Sequence, residues 1–194
     1  MRICIYGASS STLEKTYYDE AEALGREIAR RGHSLVFGGG NNGLMGACAR
    51  GVYAGGGGIL GIAPKFFDEP GILFENCSDF IFTETMRERK QLLEDSSDAV
   101  VVLPGGIGTY EEFFEMLTLK QLGRSARAIA ILNTRGYYKP MQAMLEHTAE
   151  NEFMSDSCLA LYKTVDTPAQ ALDYIEKYRP EPVGNIFRLE DYSK

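Results

Sequence analysis

The chain is poor in the residues that carry metal and redox chemistry. It has no tryptophan, two histidines and four cysteines in 194 residues. Cys4, Cys48, Cys77 and Cys158 are widely spaced and form no CxxC pair, which argues against structural zinc and a disulfide framework and fits a reducing compartment. No cluster of His, Asp and Cys has ligand spacing, so no metal is expected. His33 and His147 stand in ordinary helix-end or helix-surface contexts. No apolar run approaches the roughly 20 residues that span a bilayer. No basic stretch with an apolar core follows Met1, so neither a membrane segment nor a signal peptide is expected, and the expected location is cytoplasmic. Positive charge is in deficit too, 20 Lys and Arg against 27 Asp and Glu, for a net charge of -7. That balance argues against nucleic-acid binding. An anionic ligand would have to meet a local positive pocket in a negative protein. The P-loop is also missing, since no Gly-Lys-Ser/Thr occurs, and the turns are not read as a dinucleotide fingerprint.

What the chain has in quantity is glycine, 21 residues, several of them placed where apolar strands end. Ile3 to Tyr6 reads as a strand running into Gly7-Ala8-Ser9-Ser10-Ser11, with a helix from about Leu13 to Arg31. Ser34 to Phe37 runs into Gly38-Gly39-Gly40-Asn41-Asn42-Gly43, which opens a second helix. Strands follow at Gly58 to Ala63, Phe80 to Phe82, Asp98 to Leu103, Ala128 to Leu132 and Tyr162 to Val165, with helices between the later ones. An irregular stretch holds Phe66, Phe67, Pro70 and Phe74. This alternation predicts a doubly wound, mostly parallel α/β sheet of about seven strands with helices on both faces, Rossmann-like in class. One domain is expected over residues 1–178, with a polar tail at 179–194.

Asp98-Ala99-Val100-Val101-Val102-Leu103 is a β-branched run of the kind buried on both faces of a sheet. It ends in Pro104-Gly105-Gly106-Ile107-Gly108-Thr109, after which a helix is expected from Thr109 to Leu122-Gly123. A glycine-rich turn between strand and helix exposes N–H groups at the positive end of a helix dipole, which suits an anion and most often phosphate. The same letters allow a reading without a ligand, because Thr109-x-x-Glu112 is also a capping box. Upstream, Thr85 and Glu88 form another possible capping box. There Met86, Arg89, Lys90 and Leu93 share one helix face. Two cations on a face bounded by Met and Leu either serve a site or snorkel to solvent.

These residues resemble a known family. Pro104 to Glu112 matches the PGGxGTxxE signature of the LOG (lonely guy) phosphoribohydrolases, and Met86 with Arg89-Lys90 is similar to their second motif. Gly38 to Gly40, Gly43-Leu44-Met45-Gly46, Gln121-Leu122-Gly123, Leu132-Asn133 and Gly136-Tyr137-Tyr138 extend the resemblance from about Ile3 to Tyr178. One departure is Gly7-Ala8-Ser9-Ser10, where the family usually has Cys-Gly-Ser-Ser. The resemblance implies an N-glycosidase that releases the base from (N6-substituted) adenosine 5′-monophosphates, as in cytokinin activation, with no cofactor. It implies Arg89 and Glu112 as the catalytic pair. Ser9, Gly39, Met86, Lys90, Gly105, Gly106, Ile107, Gly108, Thr109, Tyr110, Glu111 and Thr118 would bind the substrate. It also favours a homodimer, as do Phe113, Phe114, Met116, Leu117, Leu119 and Leu122, which cover most of their helix's circumference. A carboxylate beside C1′ would stabilise the ribosyl cation or activate water. Glu111 and Glu112 lie about 100° apart on a helix, so the two are not expected to face one pocket. The alternatives are a non-catalytic nucleotide or molybdenum-cofactor carrier of related fold, and an amino-acid decarboxylase. The latter needs a pyridoxal-phosphate lysine, for which the sequence offers no recognisable context.

Overall fold

The computed structural model describes residues 1–180, so the expected tail lies, from 181 on, outside the described residues. The order is β1 (Arg2–Tyr6), α1 (Lys15–Arg30), β2 (Ser34–Phe37), α2 (Gly43–Ala54), β3 (Ile59–Pro64), β4 (Asp79–Thr83), α3 (Met86–Asp95), β5 (Ala99–Val102), α4 (Ile107–Gln121), β6 (Ala128–Leu132), α5 (Lys139–Glu150), β7 (Lys163–Val165) and α6 (Pro168–Lys177). The strands form one sheet in the order β4-β3-β2-β1-β5-β6-β7, with every pair parallel.

Strand alternation splits the core in two. Ile3 and Ile5, with Leu35, Phe37 and Val101, pack under α1, α2 and α6. Cys4 and Tyr6, with Val36, Val100 and Val102, pack under α3, α4 and α5. Both faces are therefore covered, which is why the strands read as unbroken apolar runs. Ile5 pairs with Phe37 on one side and Val101 on the other. This register ends β1, β2 and β5 level with one another, so their following loops emerge side by side. The order of strands reverses between β1 and β5, where ligands of such sheets bind. At the opposite end, Arg31 joins α1 to α6 through Glu27, Asp173 and Glu176, and His33 adds Glu176 at 2.8 Å. That accounts for one histidine structurally.

Three expectations change. Helix α4 begins at Ile107 with Gly106 as its N-cap, two residues before the expected start. Thr109 is thus inside the first turn, and Thr109-x-x-Glu112 is not a capping box. At α3, Thr85 does cap, accepting from the Glu88 N–H at 3.2 Å, but the Glu88 carboxylate accepts from Glu84 N–H at 2.9 Å instead of closing the box on Thr85. The apolar circumference of α4 is covered largely within the subunit. Phe113, Met116 and Leu117 are buried, Phe114 and Leu119 are half-buried in the same core, and Leu122 is exposed.

Candidate active site

The loops after β1, β2 and β5 are tied together by backbone. Ala8 N–H donates to Pro104 O at 3.0 Å, and Leu44 N–H donates to Ala8 O at 2.8 Å. Two tyrosines hold the Pro-Gly-Gly turn from below, Tyr138 donating to Leu103 O at 2.6 Å and Tyr137 to Gly105 O at 2.7 Å. The irregular stretch before β4 folds across the β2 loop. Asn41 N–H donates to Ile72 O, Phe74 N–H donates to Gly39 O, and Gly40 bridges Leu73. Together these segments enclose a cavity of about 620 Å³.

Among the described residues, Arg89 and Glu112 are the only charged side chains in the cavity wall. Arg89 comes from the second turn of α3 and Glu112 from the second turn of α4. Arg89 Nη1 donates to Glu112 Oε1 at 3.2 Å, and its Nε donates to Ile62 O at 3.4 Å. Their side chains are 8% and 11% exposed, so Arg89 does not snorkel. Burial pushes the Glu112 carboxyl up to about 7, against the pull of Arg89. Glu111 adds to the rise and Lys90 opposes it. Buried Tyr6 and Cys4, on β1, feel the Glu112 charge and are themselves pushed up, mainly by burial.

The first turn of α4 supplies another part of the wall. Gly106, Ile107, Gly108 and Thr109 line the cavity. No side chain caps this helix and no acidic residue stands in its first turn. Its leading N–H groups therefore face the cavity with the dipole's positive end. Thr109 is buried because Gly105 lets it be. A Cβ at Gly105 would stand 2.9 Å from Thr109 Cγ2 and closer still to its Cβ and hydroxyl.

The residues named from sequence fall into three groups. Ser9, Met86, Arg89, Gly106, Ile107, Gly108, Thr109 and Glu112 share the cavity wall. Gly39 and Gly105 lie behind it, against Phe80 and Thr109, and Tyr110 is half-buried edge-on to Tyr138. Lys90, Glu111 and Thr118 lie outside it: Lys90 pairs with Glu111 and, at 3.0 Å, with Glu115, while the Thr118 hydroxyl donates back to Phe114 O at 2.7 Å. Gly38, Asn42, Met45, Phe67, Ile72 and Leu73 line the cavity without having been named as site residues. A signal for the first of them was present. Gly38-Gly39-Gly40-Asn41-Asn42-Gly43 has the spacing G-x-G-x-x-G after a strand and before a helix, contrary to the reading that set the fingerprint aside. Among the described residues, no group of three or more His, Cys, Asp or Glu could hold a metal, and no helix is long and apolar enough to cross a membrane.

A family model described as "possible lysine decarboxylase" matches residues 45–175. A probable cytokinin riboside 5′-monophosphate phosphoribohydrolase of Oryza sativa subsp. japonica is 36% identical over 179 residues, spanning 92% of this chain and 72% of its own length. A cytokinin riboside 5′-monophosphate phosphoribohydrolase of Arabidopsis thaliana is 34% identical over 180 residues, spanning 93% and 84%. The chain belongs to this LOG family. Among solved structures, the molybdenum cofactor carrier protein of Chlamydomonas reinhardtii superposes with a TM-score of 0.69 at 22% identity, over 91% of this chain and 96% of its own. The molybdenum cofactor binding protein of Rippkaea orientalis gives 0.67 at 20% identity, over 90% and 93%. At such identity the likeness is one of fold, and it places this LOG-family chain in the same parallel α/β architecture.

Proposed function

We propose that this LOG-family chain hydrolyses the N-glycosidic bond of adenosine 5′-monophosphate and its N6-substituted forms, giving the free base and ribose 5-phosphate. The observation that carries this is the Glu112 carboxylate, buried, ion-paired to Arg89 and lining one cavity with the uncapped start of α4. The 5′-phosphate would meet the N–H groups of Gly106 to Thr109, aided by the Ser9 hydroxyl. Phe67, Ile72, Leu73, Met86 and Ile107 give the mouth an apolar surface for the base and its substituent.

In the reaction the C1′–N9 bond breaks with its electron pair leaving on the base, which takes up a proton. Water forms the new C1′–O bond and gives up a proton. The ionised Glu112 acts on this either by stabilising the positive ribosyl centre or by accepting the water proton. Both roles need the carboxylate, so activity should rise with pH through about 7, where Glu112 ionises. The decarboxylase of the family description is not favoured by the residues, because among the described residues no lysine lines the cavity and Lys90 is held by Glu111 and Glu115. We further propose a homodimer, supported by the exposed apolar set at the mouth, above all Ile107, 84% exposed.

The test is base release from AMP and from adenosine under the same conditions. Turnover of AMP with adenosine left largely untouched is the expected result. Equal turnover of the two would remove the phosphate site from the reading, and no base release from any N6-substituted or plain AMP would remove the reaction.

A further inference from the structure

We infer that Gly38 is a positioning residue: the side chain it lacks is the space in which the Arg89 guanidinium sits, and through Arg89 it sets the state of Glu112. Gly38 follows β2 directly and lines the cavity. Its φ is not positive, unlike that of Gly39 at 76°. The backbone there would accept any residue, so conformation does not explain the glycine. Space does. The three atoms nearest to a Cβ built on Gly38 all belong to one guanidinium: Arg89 Nη2, which it would overlap, Cζ at 3.0 Å and Nε at 3.3 Å.

The neighbouring glycines differ. A Cβ at Gly39 would strike the Phe80 ring and Ala63 besides requiring a left-handed backbone, whereas one at Gly40 would meet only Met45 Cε at 3.8 Å. Three consecutive glycines thus stand in three different surroundings, and Gly38 alone abuts a catalytic side chain. The obstacle at Gly38 is also the far end of a flexible side chain. Alanine there would displace the guanidinium and leave the fold intact. Arg89's remaining holds are two long hydrogen bonds, 3.2 Å to Glu112 and 3.4 Å to Ile62 O, so its place depends on shape as much as on bonding.

Displacing Arg89 changes Glu112 in a defined direction. The charged and titratable groups acting on or coupled to this carboxyl are Arg89 and Lys90 from α3, Glu111 from α4, and Tyr6 and Cys4 from β1. Lys90 is occupied by Glu111 and Glu115. Moving Arg89 away removes the main opposition to burial, so the carboxyl should hold its proton to higher pH.

The test compares wild type, Gly38→Ala, Arg89→Ala and the double variant; its kinetic arm rests on the proposed function and its spectroscopic arm does not. Glu112 titration is followed by NMR on ¹³C-glutamate-labelled protein, with Glu112→Gln assigning the signal. Single-turnover AMP hydrolysis is measured against pH, and thermal unfolding reports the fold. For Gly38→Ala we expect a fold like the wild type's and a Glu112 midpoint moved upward. The acid limb of the rate should move with it, and the rate at pH 7 should fall about fivefold or more, the loss of ionised carboxylate that one unit produces. On the Arg89→Ala background the same substitution should change none of these. An unmoved Glu112 midpoint in Gly38→Ala, or equal effects on both backgrounds, overturns the proposal. If Gly38→Ala fails to fold, a folded double variant supports the seat and an unfolded one overturns it. Absence of AMP hydrolysis in wild type would fail the proposed function alone, since the NMR titration still decides the role of Gly38.

Discussion

Replacing Glu112 by glutamine separates what this carboxylate does for the reaction from what it costs the fold. The carboxyl rises from 4.5 in the unfolded chain to about 7 in the folded one, mainly through burial. At about 1.4 kcal/mol per unit, ionising it inside the protein costs about 3 kcal/mol more than in water. The side chain is 11% exposed, so solvent screening removes little of this. Between the two values the native state holds the proton and the unfolded state has lost it. Stability therefore falls as pH rises through that window, and the whole cost is present above it.

Glutamine is close in shape, neutral at every pH, and its carbonyl can still accept from Arg89 Nη1. The variant should behave as wild type does with Glu112 protonated. Losing the counter-charge of Arg89 shifts its absolute stability, but by the same amount at each pH. The difference in unfolding free energy between variant and wild type should therefore change by about 3 kcal/mol in the variant's favour from pH 4.5 to pH 8. Single turnover of AMP at pH 8 should meanwhile fall by about 10² or more. Urea unfolding at constant m reads the first quantity and rapid-quench hydrolysis the second. Parallel pH profiles of stability would refute the buried-charge account. A near-normal single-turnover rate would remove Glu112 from the chemistry.

Other consequences are checked as directly. Lys120 is buried on α4, donates to Leu161 O at 2.6 Å and lies 4.5 Å from the centre of the Tyr178 ring. Burial pulls its amine from 10.5 to about 8, so the unfolded state holds the proton longer and stability should rise with pH across that window. Lys120→Met should abolish that rise in denaturant titrations, and an unchanged rise would show that another group causes it. The proposed homodimer should scatter light at twice the 21.5 kDa chain mass at micromolar concentration, and a monomeric mass would refute it.

Much of the sheet was legible because strands buried on both faces have no polar alternation to obscure them. Val100 to Leu103 and Ala128 to Leu132 could be little else between their glycine-rich neighbours. The start of α4 was misread for a physical reason. Its N-cap is Gly106, which offers no side-chain signal, while Thr109 and Glu112 imitate a cap two residues later. Arg89 could not be told from a snorkelling cation, because its partner Glu112 lies 23 positions away and only the fold joins them. The stretch from Phe67 to Leu73 has no periodicity, so nothing local announces that it closes over the β2 loop. Gly38 was visible as a glycine, but a sequence does not say what occupies the space beside one.

These gaps meet at one balance of charge. Among the described residues, the cavity pairs its single cation with its single anion, and the nearby Lys90 is held by two carboxylates. In the proposed function the phosphate is received through dipoles, which the uncapped first turn of α4 provides without a counter-ion to displace. That leaves Arg89 to serve Glu112. The guanidinium holds the carboxyl down against burial, and it does so from the space that Gly38 leaves open. Any group that draws Arg89 away makes Glu112 a stronger base but a less abundant one at neutral pH. If Glu112 is the proton acceptor of the proposed reaction, a midpoint near 7 is where those two demands balance, since a general base works best when its pKa lies close to the working pH. On this account the precise placement of Arg89, more than the presence of a carboxylate, is what the architecture of the β2 loop and α3 is built to secure.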